Sequence, residues 1–360
     1  MNIPDMSVRL TSKERVMNTL GFKPTDRVPR FDTFWEEFVE KWQREKETDA
    51  DINDYYGIDV YILAADETPF PSKKKNIKQE NNSEISRDGW GRLIKTRKEA
   101  KFSEVLEVTI SDKSALDKIK FESPQLPERY CIMKEEDLKR IEGRYCVFAK
   151  TGGPYLRNTF LRGETQFLMD IAEDPSFAKA MVDKLADYIM EIGLESLMRW
   201  NLWDTGVWIY DDIASNQGPM MSPNSFEGIF LPAYKRMIKT WKGKGARKVF
   251  FHSDGNIIPL LDMLIDAGID GIHPIEPKAG MSLPALRRRY GNRLALVGGM
   301  CNSFVLPKGS RKEIEQQAKS ILEVAKDGGV IIGAHSIGPD VPVDHYDWYH
   351  EILKPDAVYV

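Results

Sequence analysis

From residue 145 onward the chain alternates between two kinds of segment. Short runs rich in β-branched and aromatic residues are followed by longer stretches with apolar residues at three- and four-residue intervals. This constrains the fold more than any other feature, because strands alternating with amphipathic helices build a parallel sheet with helices packed outside it. The predicted strands lie at 145–150, 206–212, 248–254, 270–276, 294–299 and 330–335. Helices follow at 175–200, 222–241, 256–268, 281–291, 310–329 and 343–353, several of them ending at glycine.

Upstream, Thr11 or Ser12 can cap a first helix carrying Val16 and Leu20 and ending near Gly21. Two further strands are expected, one around Pro29 in 26–35 and one at 58–66. The total is eight strand–helix units. We therefore expect an α/β fold, a single (β/α)8 barrel spanning 1–360. An open doubly wound sheet is the competitor, but it usually carries a glycine-rich phosphate turn after its first strand. Here that segment reads DTFWEEF, without glycine. The length of 360 residues exceeds the ~250 typical of such barrels, so an insertion is required. Residues 67–130 supply it. Within them 88–110 alternates like an antiparallel hairpin, and the Lys- and Asn-rich 71–84 reads as a solvated excursion.

Composition excludes several classes. With 51 basic and 55 acidic residues the net charge is −4, which gives no electrostatic footprint for nucleic acid. No apolar run approaches the roughly 18 residues needed to cross a membrane, and the first residues lack the apolar core of a secretory signal. Three scattered cysteines give neither a disulfide framework nor a Cys-rich zinc site, and a reducing cytoplasm is the expected location.

In a parallel barrel the chemistry sits at the carboxyl ends of the strands. Here those positions hold Asp32, Asp66, Thr151, Asp211 with Asp212, His252 with Asp254, Glu276, Cys301 and His335. His252 and Asp254 share strand parity, so they suit a metal site or an acid/base pair; the alternative is a His bonded to a backbone carbonyl. His335 ends the eighth strand and can face His252 across the mouth. Of Asp211 and Asp212 only one points inward, and Asp212 is the better candidate; Gln217 can reach the same opening. Glu276 is stiffened between two prolines, as a ligand, a base or a loop ion pair. His273 reads as pointing into the barrel wall, Cys301 as inert, and His345 and His350 as surface groups. No nucleophile elbow, phosphate loop, His-Glu-x-x-His or Cys-x-x-Cys occurs.

Five blocks, SKERVMNTLGFKPTDRVPRF (12–31), KVFFHSDGN (248–256), HPIEPKAGM (273–281), LALVGGM (294–300) and GGVIIGAHSIGPDVP (328–342), resemble the uroporphyrinogen decarboxylase superfamily. The resemblance implies a (β/α)8 barrel and two activities: porphyrinogen decarboxylation and corrinoid-linked methyl transfer. Against the decarboxylase pattern, Asp66 and His335 match. Phe160 stands where a Tyr is expected, Asp212 where a Ser is expected, and Asp32, Glu36 and Glu37 where arginines would receive a polycarboxylate. The methyltransferase pattern places zinc ligands as His-x-Cys and a distant Cys; here those positions are His252-Ser253-Asp254 and His335, a chemically legitimate zinc set.

The implied function is methyl transfer from a small methylated donor to a corrinoid on a partner protein. Zn²⁺ would be held by His252, Asp254 and His335. Asp212, Glu276 and Asp66 are the catalytic candidates. Phe34, Trp35, Tyr210, Gln217 and Phe160 are the substrate-binding candidates. Decarboxylation and a non-catalytic barrel partner of a corrinoid protein are the alternatives, and a homodimer is left open.

Overall fold

The computed structural model describes residues 9–99 and 102–354. Along the third barrel strand, Cys146–Gly152, side chains divide by parity. Cys146 and Phe148 join one apolar cluster, while Val147 and Ala149 join another. The first cluster fills the interior of the sheet and the second lies between sheet and helices. Burial on both faces explains why these strands read as nearly continuous apolar runs.

Seven strands pair in parallel: Val60–Ala64, Cys146–Gly152, Gly206–Tyr210, Lys248–His252, Gly271–Ile275, Ala295–Gly299 and Val330–Gly333, each beside its predecessor. Residues 29–34 close the ring. Phe31 N–H donates to Ile332 O and Ile332 N–H to Pro29 O, both at 2.9 Å, while Asp59 N–H donates to Arg30 O on the other side, also at 2.9 Å. Thr33–Phe34 continues the pairing, in parallel, with Ser336–Ile337. The eight-strand expectation therefore holds, although this first strand is broken. Pro29 has no N–H to offer, which interrupts the ladder. Gly333 is needed at the closure, since a Cβ there would lie 1.9 Å from Phe31 O.

The interior is filled rather than open. Trp208 and Phe250 stack at 4.6 Å, and Phe148 meets both edge-on at 5.6 Å. Below this layer the first helix, Ser12–Leu20, turns Val16 and Leu20 into the same cluster. Thr11, not Ser12, caps that helix, in a reciprocal arrangement with Glu14. Buried Arg15 ties it to Asp26 at 2.7 Å and to Asp59 at 2.6 Å, next to the second strand.

The insertion is larger than a hairpin. Lys75–Gln79, Ser83–Arg87, Leu93–Arg97 and Glu104–Glu107 form a four-stranded antiparallel sheet in sequence order. The segment read as a solvated excursion supplies its first strand, whose every residue is exposed. Cross-strand pairing holds it in place without an apolar face. The sheet leans on the helix Pro154–Arg162 through Trp90, which meets Phe160 edge-on at 5.3 Å. No helix among the described residues is long and apolar enough to cross a membrane.

Candidate metal centre at the barrel mouth

His252 is the last residue of the fifth strand and is buried. Two residues on, Asp254 turns back over it, with Oδ1 3.6 Å from His252 Nε2. From the eighth strand end, His335 Nε2 comes within 3.4 Å of the same oxygen. One ligating atom from each of the three lies within 4.8 Å of the others. Asp254 Oδ1 is buried and accepts no hydrogen bond, an unsatisfied acceptor between two imidazoles. His335 holds φ at 153°, a value L side chains rarely adopt, so the surrounding structure forces its placement.

The loops are locked to one another. Asp212 Oδ1 accepts from Asp254 N–H at 3.1 Å and stands 3.6 Å from His252 Nε2. Ser253 Oγ accepts from Ile213 N–H and donates to Asp254 O. Glu276 accepts from Gly255 N–H at 2.7 Å and faces Lys278 at 3.1 Å. Burial pushes the Asp254 carboxyl up to about 6; His335 opposes this, while nearby Asp212 and Glu276 add to it.

His273 lies inside the barrel, not in its wall. The fifth and sixth strands pair His252 with His273 in register, so both side chains share a face. Their Nδ1 atoms are 2.7 Å apart. Burial drives both imidazoles well below the usual histidine range, so they are neutral and one donates to the other. If His252 offers Nε2 as a lone pair, its Nδ1–H donates to His273 Nδ1.

Other predicted residues are placed as follows. Tyr210 stacks on His252 at 4.1 Å between ring centres, beside the cluster. Asp211 turns away: its carboxylate accepts from Tyr155 N–H, Leu156 N–H and Tyr234 Oη–H, capping the helix after the third strand. Gln217 is exposed in the short hairpin that contains Ser215. Asp66 pairs with Lys74 at 2.5 Å and accepts from Thr68. Phe160 is sandwiched against the insertion, with Arg92 over its ring at 4.6 Å. Phe34 packs against Phe38, Tyr56 and Tyr346 in the outer layer, and Trp35 is partly exposed beside it. None of these last five joins the cluster.

Asp32 is buried, accepting from Ala334 N–H at 2.6 Å and Tyr346 Oη–H at 2.9 Å. Cys301 is buried and Thr151 Oγ1 has no partner. The two late histidines are not surface groups. His345 Nδ1 lies 2.7 Å from Leu306 O, and His350 Nε2 lies 2.9 Å from Arg30, because the last helix packs back over the first strand. The sequence reading did not single out Lys150 at the mouth. This lysine continues the inward parity of Cys146 and Phe148, and a charged residue on that face was the available signal.

Residues 94–354 match the family described as Uroporphyrinogen decarboxylase (URO-D), which is most of the chain. The chain belongs to the URO-D family. Among solved structures, a methyltransferase from Methanosarcina mazei is similar to this URO-D member over 98% of the chain and 100% of its own length, at 18% identity and a TM-score of 0.66. That likeness agrees with the closed barrel. A B12-independent methionine synthase from Shewanella sp. W3-18-1, in complex with selenomethionine, aligns over 91% of this chain and 92% of its own at 12% identity and a TM-score of 0.44. No curated protein matches the sequence.

Proposed function

We propose that this URO-D family enzyme transfers a methyl group from a small methylated donor to a corrinoid carried by a separate protein, with zinc held by His252, Asp254 and His335. One observation carries the reading. Ligands on a tetrahedral zinc with bonds of about 2.0–2.2 Å stand roughly 3.3–3.6 Å apart. Asp254 Oδ1 stands 3.4 Å from His335 Nε2 and 3.6 Å from His252 Nε2. Those two separations are too long for hydrogen bonds and match ligand pairs on a common ion, and all three ligating atoms lie within 4.8 Å of one another.

The bound metal would act as a Lewis acid on the heteroatom that carries the methyl group. The chain's own groups do the rest. With a metal on His252 Nε2, His252 Nδ1–H would donate to His273 Nδ1, and that contact orients the His252 ring. Tyr210, flat against His252, walls one side and keeps its ring from tilting. Asp212, partly exposed at the rim, is placed to accept a hydrogen bond from the donor or from the water that protonates the departing heteroatom, whose electron pair stays with it when the methyl group leaves. Glu276 braces the Asp254–Gly255 turn. The aromatic layer of Trp208, Phe250 and Phe148 excludes water from beneath. The acidic rim of Asp212, Asp254 and Glu276 disfavours a polycarboxylate such as a porphyrinogen.

The test is metal analysis of the purified protein, with methyl transfer to cob(I)alamin from a panel of methyl ethers, thioethers and amines. Stoichiometric zinc, and its loss in His252→Ala and His335→Ala together with transfer, is the expected result. Transfer that survives both substitutions in zinc-free protein defeats the assignment.

A further inference from the structure

Lys150 is a cation inside the barrel mouth that the protein leaves unneutralised. It sits on the inward face of the third strand, above Phe148, with its Nζ 4.3 Å from the centre of the Tyr210 ring. Tyr210 in turn lies flat on His252, so a single ring separates the ammonium from the candidate metal ligand. Among the described residues no carboxylate comes within 4.0 Å of it, and its three N–H donors make no hydrogen bond to protein.

Its neighbours are already committed. Glu67 accepts from Arg157 Nε and from Gly152 N–H, each at 2.5 Å. The other lysine of the mouth, Lys278, is 3.1 Å from Glu276. A half-buried ammonium held only by a ring face is costly to maintain unless something completes its coordination. Burial lowers its affinity for the proton, and Glu67 and Asp212 oppose that effect from a distance.

We propose that Lys150 anchors an oxyanion carried by the small substrate, so that the site selects anionic molecules over neutral isosteres and rejects methylated ammonium ions. The inference rests on the reading that this mouth is the substrate site. The anion would meet two or three charged N–H donors while its reactive end points across Tyr210 towards His252 and His335. A quaternary ammonium seated on the Tyr210 ring would face the charge of Lys150.

The experiment compares methoxyacetate, methoxyacetamide and tetramethylammonium as probes, by ligand-observed NMR titration of the full chain as purified. Charged hydrogen bonds of this kind correspond to a preference of about tenfold or more for the acid over the amide. Tetramethylammonium should not bind. Lys150→Met and Lys150→Gln should abolish the preference, and Lys150→Arg should restore part of it. Zinc content and melting curves of the variants, unchanged from the parent, show that fold and metal site survive. Equal affinity for acid and amide, no binding of the acid at tens of millimolar, or a preference that persists in both neutral variants overturns the proposal. A protein that holds no zinc yet keeps a Lys150-dependent acid preference defeats the metal reading alone.

Discussion

At the scale of single residues, one rung between the fifth and sixth strands decides which nitrogen of His252 faces the mouth. His273 takes the other nitrogen at 2.7 Å, and both rings are neutral. Replacing His273 by Phe keeps an aromatic ring in the same layer and removes that partner. Zinc affinity should fall by about ten- to a hundredfold, as for other groups that orient a metal-bound imidazole, and competition against a chelator measures it. Unchanged affinity would make His273 a filler. Asp32 offers a second test. Burial raises its carboxyl to about 7, against the hydrogen bonds from Ala334 and Tyr346. The folded state thus binds this proton more tightly than the unfolded chain. The stabilisation is full below about pH 4, the unfolded value, and is lost as pH rises through about 7. The stability of the parent relative to Asp32→Asn should therefore decline across that window, by at most about 4 kcal/mol. Urea melts at several pH values read it, and a difference that grows with pH would show an ionised Asp32.

At the scale of elements, closure depends on how near two backbones come. Ala at position 333 would place its Cβ against Phe31 O and push the first strand off the eighth. Gly333→Ala should cost about 2–4 kcal/mol in urea unfolding. Gly143→Ala, on the helix Glu135–Arg144 with nothing near its Cβ, should be neutral or stabilise by up to about 1 kcal/mol. Equal effects would mean that the closure tolerates slack. The same elements explain what the sequence disclosed. From residue 145 onward, strands buried on both faces announce themselves as apolar runs, and His252, at the end of one, and His335, two residues past the end of another, could be picked out as mouth groups. The first strand was blurred because Pro29 breaks its ladder and the polar Arg30 and Asp32 sit within it. The strand Lys75–Gln79 was missed because pairing, not burial, holds it. Lys150 was missed because its run reads as core, and parity becomes visible only once Phe148 is known to face inward.

At the scale of the whole molecule, the candidate ligands join distant parts of the ring. His252 and Asp254 come from the fifth strand end, and His335 from the eighth, next to the closure. An ion held there would bind the folded state alone, stabilising it by RT ln(1 + [L]/Kd), about 2.7 kcal/mol at a hundredfold excess over Kd. Chelator should lower the melting temperature, added zinc should restore it, and His335→Ala should remove the response. Coincident melts with and without zinc would leave the three side chains without an ion to share. The net charge of −4 is unremarkable, yet its distribution is not: carboxylates crowd the rim while Lys150 stands alone inside.

The first helix seals the far end of the barrel with Val16 and Leu20, beneath a layer of stacked rings. Traffic through this molecule is therefore one-way in and the same way out. In the transfer proposed above, two bodies that exchange a group could not queue at opposite doors. The smaller would have to be seated before the larger covered it, and the larger would have to lift before the spent remainder could leave. A dead end in the architecture would then set the order of arrival and departure.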